Sequence, residues 1–248
     1  MQPSTHKGIA MRYLTGLLTR NKGFLAFMLC MFVFRSAVAD WNVVPTGSMQ
    51  PTIRIGDRIL VDRAAYDIRL PFTHISLHKI ADPARGDIVV LDSTEANERL
   101  VKRVIGVPGD RIALRGNRLY VNGQAARYSS IRVAGIGDDR ADPAHYELER
   151  TGDATRIVRL SDYRPSIGSN FGPVTVPAGH YLLMGDNRDN SYDSRFLGFA
   201  GRGEILGRAR YVAFSLDPAH HYLPRKDRFG AALDGAAQHS GAHAGQDL

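Results

Sequence analysis

Beyond Asp40 the chain is written in short alternating segments, and this constrains its fold more than any other feature. "DRILVDR" (57–63), "GDIVVLDS" (86–93), "ERLVKRVIGV" (98–107) and "HYLLMGD" (180–186) are each bounded by Gly, Pro or Asp. Alternation with period two puts successive side chains on opposite faces of a strand, and few windows after residue 40 carry a 3.6-residue period. "RIALRGNRLYVNG" (111–123) reads as a hairpin turning at Gly116 and Asn117, and "EILGRARYVAFSLD" (204–217) as one or two further strands. A mostly β fold with an antiparallel core is expected. From about 124 to 172 the chain turns polar around one plausible strand, "TRIVRL", and reads as an insertion, so the core falls to 40–123 and 173–225. Residues 226–248 lack the apolar content to order themselves and are expected to be a disordered tail.

The N-terminus differs in kind. No acidic residue occurs from Met1 to Ala39, while Lys7, Arg12, Arg20 and Lys22 precede the apolar run "FLAFMLCMFVF" at 24–34. Positive charge ahead of an apolar segment predicts that residues 1–22 stay cytoplasmic and that the chain beyond the apolar run is exported. Extending the run over 23–39, with Arg35 snorkelling, gives about 17 residues and about 25 Å of helix, enough for a short membrane anchor. The same stretch also fits a cleavable signal peptide: a basic region, a short apolar region and "AVA" before Asp40.

Composition narrows the function. Across 248 residues, 44% hydrophobic and 23% charged content is ordinary for a chain that folds around a core. The net charge of +7 would suit an anionic partner, but the basic residues are interspersed with acidic ones, without a Lys/Arg block, which argues against nucleic acid. A single cysteine, Cys30, excludes an intrachain disulfide and a thiolate metal cluster. His74 and His78 lack further ligands and read as a surface pair, not a metal site.

Three stretches carry chemistry. In "PTGSMQPT" (45–52), Ser48 is held between Gly47 and Met49 and flanked by two prolines, so it is either a hydroxyl in a loop turn or a rigidly presented nucleophile. A serine needs a partner to take its proton, and no histidine lies in a recognisable catalytic motif. Lys102 offers another base: in its strand Leu100, Lys102 and Val104 share one face, and burial there would lower the amine toward neutrality. "GDNRDNSYDSR" (185–195) is a polar loop in which Arg188 occupies a position where an EF-hand-like calcium loop would want an oxygen ligand.

Ser48 in "PTGSMQPT", Lys102 in "RLVKRVIGVPGD" and the later "GDNRDNSYDSR", in that order behind an apolar anchor, closely resemble the bacterial type I signal peptidases, membrane-anchored proteases with a Ser-Lys dyad. The likeness covers the anchor, residues 41–123 and residues 173–215; the insertion and tail are unmatched. It implies Ser48 as nucleophile, Lys102 as general base, Ser191 as the hydroxyl orienting the lysine, and the Ser48 amide with Thr46 as the oxyanion site. Where this family often has serine, Thr46 keeps the donor but adds a methyl. Met49 would help shape the substrate cleft, and Asp186, Arg188, Asp193 and Arg195 would support the site through ion pairs. Neither a cofactor nor a metal is implied.

The resemblance favours the anchor over the cleaved leader. It implies a bacterial inner-membrane protein crossing once, N-terminus in the cytoplasm and catalytic domain on the periplasmic side, although some relatives have two membrane segments. Ser48 lies only eight positions after Asp40, a reach of at most about 27 Å, so the nucleophile would work at the bilayer surface with Trp41 at the interface. The implied partners are the phospholipid bilayer and precursors carrying signal peptides, bound as an added strand and cut after Ala-X-Ala-type residues. The chain's own "AVA" at 37–39 fits that rule, and Arg35 is expected to make self-cleavage after Ala39 slow. Alternatives are a dedicated peptidase for one pilin or conjugation substrate and an inactive membrane-tethered β module. The self-cleaving repressors of the DNA-damage response also use Ser and Lys, but carry a helix-turn-helix where this chain has an apolar segment.

Overall fold

In the computed structural model, which describes residues 21–233 apart from 38, 71, 72, 74, 134–141, 153 and 164, the alternating segments are strands and every pairing between named strands is antiparallel. Helix α1 (Lys22–Ala37) leads into β1 (Ala39–Val43), β2 (Asp57–Asp62), the ribbon β3 (Asp67–Arg69) and β4 (Ser76–Lys79), then β5 (Ile88–Ser93) and β6 (Glu98–Gly106). After β7 (Arg111–Arg115), β8 (Arg118–Val121) and β9 (Gln124–Ala125) come β10 (Arg127–Ile131), β11 (Ala144–Thr151) and β12 (Ala154–Ser161). The chain ends with β13 (Phe171–Thr175), β14 (His180–Met184), the short α2 (Ser194–Leu197), β15 (Ala200–Gly201), β16 (Ile205–Asp217) and β17 (Leu223–Pro224).

Eight strands form the main sheet, in the order β1-β2-β16-β5-β6-β14-β15 with β17 added to β16. The expected 204–217 segment is one continuous strand, interrupted by bulges where it changes partner register along β2 and β5. Strand β6 runs between β5 and β14, and from Lys102 to Gly106 both of its faces are buried, so Arg103 is as buried as Lys102. One core cluster joins Val44, Met49 and Ile53 of the Ser48 segment to Ile59, Ile88 and Val212, fixing that segment onto the sheet. Another packs the β7–β8 hairpin against Ile105, Leu182 and Met184.

Three expectations need correction. The anchor predicted over 23–39 is helical only to Ala37, 16 residues, because Ala39 is already paired with Asp62 in the sheet. No helix among the described residues is long and apolar enough to cross a membrane. The polar region 124–172 carries β10, β11 and β12 as a three-stranded sheet, where one strand was expected. In the segment predicted to be disordered, residues 226–233 are ordered: Leu233 is 2% exposed in the core and its amide donates to the Arg210 carbonyl. Residues 1–20 and 234–248, which hold most of the segment expected to be cytoplasmic and most of the expected tail, lie outside the described residues.

Candidate active site

Ser48 follows β1 on a turn closed by the Gln50 amide donating to the Gly47 carbonyl, and Lys102 projects from the middle of β6. Their side chains meet: Lys102 Nζ lies 2.8 Å from Ser48 Oγ, across 54 residues of sequence. Lys102 is 4% exposed, and burial pulls its amine below the ordinary 10.5 against the opposing pull of Asp193 and Glu98. A neutral amine offers a lone pair to the serine proton, so the pair has the elements of an activated nucleophile. Thr46 Oγ1 lies on the open side of the turn, 3.5 Å from Ser48 Oγ. A cleft beside Lys102 is walled by Leu91, Leu100, Leu183, Leu197 and Ala200.

The loop 185–195 holds the serine turn from behind. The Asn187 amide donates to the Ser48 carbonyl at 3.1 Å, and Asn187 Nδ2 donates to the Gly47 carbonyl at 3.0 Å. Gly185 makes this approach possible, since a Cβ there would stand 2.3 Å from the Ser48 carbonyl oxygen and 2.3 Å from Ser191 Oγ. Asp186 accepts from Arg103 Nε and Nη2 at 2.8 and 2.6 Å and from Thr52 Oγ1 at 2.6 Å, tying the loop both to β6 and to the segment after Ser48. Asp193 caps α2 and receives a two-pronged bond from Arg195 at 2.8 and 2.8 Å, with the Gly185 amide at 3.0 Å. Burial pushes the Asp193 carboxyl up, but Arg195 outweighs it and holds the group below the ordinary carboxylate range.

The structure thus brings together Ser48, Lys102, Thr46, Asp186, Asp193 and Arg195. Arg188 is fully buried and turned away from the dyad, toward Glu149. One expectation fails on geometry. Met49 is 1% exposed within the core, so it anchors the serine turn instead of lining a cleft. Ser191 Oγ is buried, lends a hydrogen bond to the Asp193 carboxylate that helps hold it ionised, and makes none to Lys102 in this structure. Asn187, Arg103, Thr52 and Glu149 were missed. Arg103 left a signal, a charge between Val101 and Ile105 that needed a carboxylate; Glu149, in an alternating polar stretch, left none. His74 lies outside the described residues, and among those described no group of three or more His, Cys, Asp or Glu side chains could hold a metal ion.

The chain matches a family model described as signal peptidase, peptidase S26, over residues 18–214. It is 36% identical over 229 residues to signal peptidase I of Pseudomonas aeruginosa, covering 86% of this chain and 78% of the relative. Signal peptidase I of Pseudomonas fluorescens is 34% identical with the same coverage, and signal peptidase I P of Bacillus subtilis subsp. natto is 32% identical, covering 81% of this chain and 90% of the relative. Matches of this length and identity place the chain in the S26 signal peptidase family, and it is a serine endopeptidase.

Proposed function

We propose that this protein removes N-terminal signal peptides from exported precursors, using Ser48 as nucleophile and Lys102 as general base. The 2.8 Å approach of the buried amine to the hydroxyl carries the reading. Ser48 Oγ attacks the scissile carbonyl carbon as its proton passes to Lys102 Nζ. The oxyanion is held by the Ser48 amide and the Thr46 hydroxyl. Collapse of the tetrahedral intermediate breaks the C–N bond, and the Lys102 ammonium returns the proton to the departing amine. The Lys102 amine then deprotonates a water that attacks the acyl-serine, releasing the signal peptide carboxylate and restoring the free hydroxyl.

Trp41, Leu60 and Tyr211 are direct cross-strand neighbours on β1, β2 and β16, and all are exposed; Val43 and Phe214 flank them, with the Arg58 guanidinium 5.6 Å from the Phe214 ring centre. A row of aromatic and aliphatic side chains beside the exposed Phe24, Phe27 and Met31 of α1 suits a lipid interface. We assign the protein to the bacterial inner membrane, N-terminus in the cytoplasm and β domain on the periplasmic side, with the apolar N-terminal segment as its anchor and not the 16-residue α1 by itself. Processing of an Ala-X-Ala precursor in detergent by the wild type, and its loss in both Ser48→Ala and Lys102→Ala proteins that remain folded, is the expected result. Turnover by folded Lys102→Ala at the wild-type rate would sink the base assignment.

A further inference from the structure

The insertion is joined to the serine turn by a row of buried groups. Tyr128 on β10, Glu149 on β11 and Arg156 on β12 are in direct register across the three-stranded sheet. Glu149 is 0% exposed, and its two oxygens receive Arg188 Nη1 and Nη2 at 2.7 and 2.7 Å, Arg156 Nε at 2.5 Å and the Tyr128 hydroxyl at 2.6 Å. Two buried guanidiniums converge on this one carboxylate, so without it they would face each other in a dry interior. Arg188 is not free to yield alone. Its amide donates to the Arg159 carbonyl at 3.0 Å, the Arg159 amide donates to the Asp186 carbonyl at 2.9 Å, and the intervening Asn187 is the residue that grips the Ser48 turn.

We infer that Glu149 is a positioning residue for the reaction: by fixing Arg188 it fixes Asn187, and through Asn187 it holds Ser48 Oγ within reach of Lys102. The inference rests on reading Ser48 and Lys102 as nucleophile and base. The insertion is then a buttress of the reaction centre. Bonds from Asn117, the Ser161 amide and the Ser166 amide to Asp189 brace the same loop one residue further on.

The test is Glu149→Gln, which keeps the shape and removes the charge, assayed on a precursor with an Ala-X-Ala cleavage site in detergent beside wild type and Ser48→Ala. The expected result is a kcat lower by about tenfold or more with KM within about twofold, because misplacing the nucleophile penalises chemistry and not binding. The acidic limb of the kcat profile should also move to higher pH. When the Ser48 turn retreats, water reaches the Lys102 amine, whose charged neighbours Asp193, Glu98, Arg195 and Asp186 stay in place. Loss of folding stability alone would move neither quantity in the folded enzyme. If Glu149→Gln does not fold, Tyr128→Phe, which removes one hydroxyl and no charge, is read instead for the same two changes. Wild-type kcat and an unmoved acidic limb in the folded variant would overturn the inference. Failure of the wild type to process the precursor, or processing by Ser48→Ala, would overturn the dyad reading itself.

Discussion

Lys102 gains its chemistry from where β6 places it. An exposed lysine amine is almost wholly protonated at neutral pH and useless as a base. Here burial favours the neutral form, and in the folded chain Lys102 binds fewer protons than in the unfolded chain at any pH between the lowered value and 10.5. Folding stability from this group therefore rises as pH rises through that window, and kcat should rise along its lower edge, with a midpoint below that of free lysine. A kcat profile with its acidic midpoint at or above 10.5 would refute the assignment. Lys102→Arg should lower kcat by at least about 100-fold, since a guanidinium keeps its proton throughout this range. Single-turnover processing measures that loss apart from product release.

At the scale of elements, the loop 185–195 and β1 govern what reaches Ser48. Asn187 makes two hydrogen bonds to carbonyls of the serine turn. Asn187→Ala deletes the side-chain bond to Gly47 and should lower kcat by about tenfold while destabilising the fold by about 1–2 kcal/mol, measurable by precursor cleavage and urea unfolding. Strand β1 bears on self-cleavage. Ala39 and Asp40 pair with Asp62 and Val61, and Asp40 lies 3.9 Å from Arg63, so the bond after "AVA" is locked within the sheet. Attack on it requires β1 to peel from β2, a stronger barrier than the Arg35 spacing considered from sequence. Purified protein should keep its residues before Asp40, and N-terminal sequencing that finds chiefly Asp40 would show that β1 opens readily.

For the whole molecule, the main sheet carries an exposed apolar row, while the three-stranded sheet is bonded to the loop 185–195 through Glu149 and Arg159. Replacing Trp41, Leu60 and Tyr211 together with Ser removes exposed side chains, so the fold should tolerate it. Binding to vesicles containing anionic lipid should weaken, read by flotation, while cleavage of a short soluble peptide stays near wild type. Undiminished flotation would leave α1 as the lipid contact. The β core was legible from sequence because strand alternation and turn residues are local: 57–63, 86–93, 98–107 and the 111–123 hairpin all correspond to strands. β1 and the β10–β11 pair were not, since β1 is short and runs into the apolar segment, and the polar alternation of β10–β11 resembles a loop when its buried partners are unknown.

By itself the sequence determined a β fold and, through three motifs in order, which hydroxyl, amine and loop to compare. Those are statements about local pattern and residue type. Only the tertiary structure decided that Lys102 and Ser48 touch, that Met49 is core, and that Glu149 and Arg188 form a buried ion pair. Each of these depends on side chains tens of residues apart meeting in a dry interior, where the strength of an ion pair or the protonation of an amine is set by surroundings that no single stretch of chain contains.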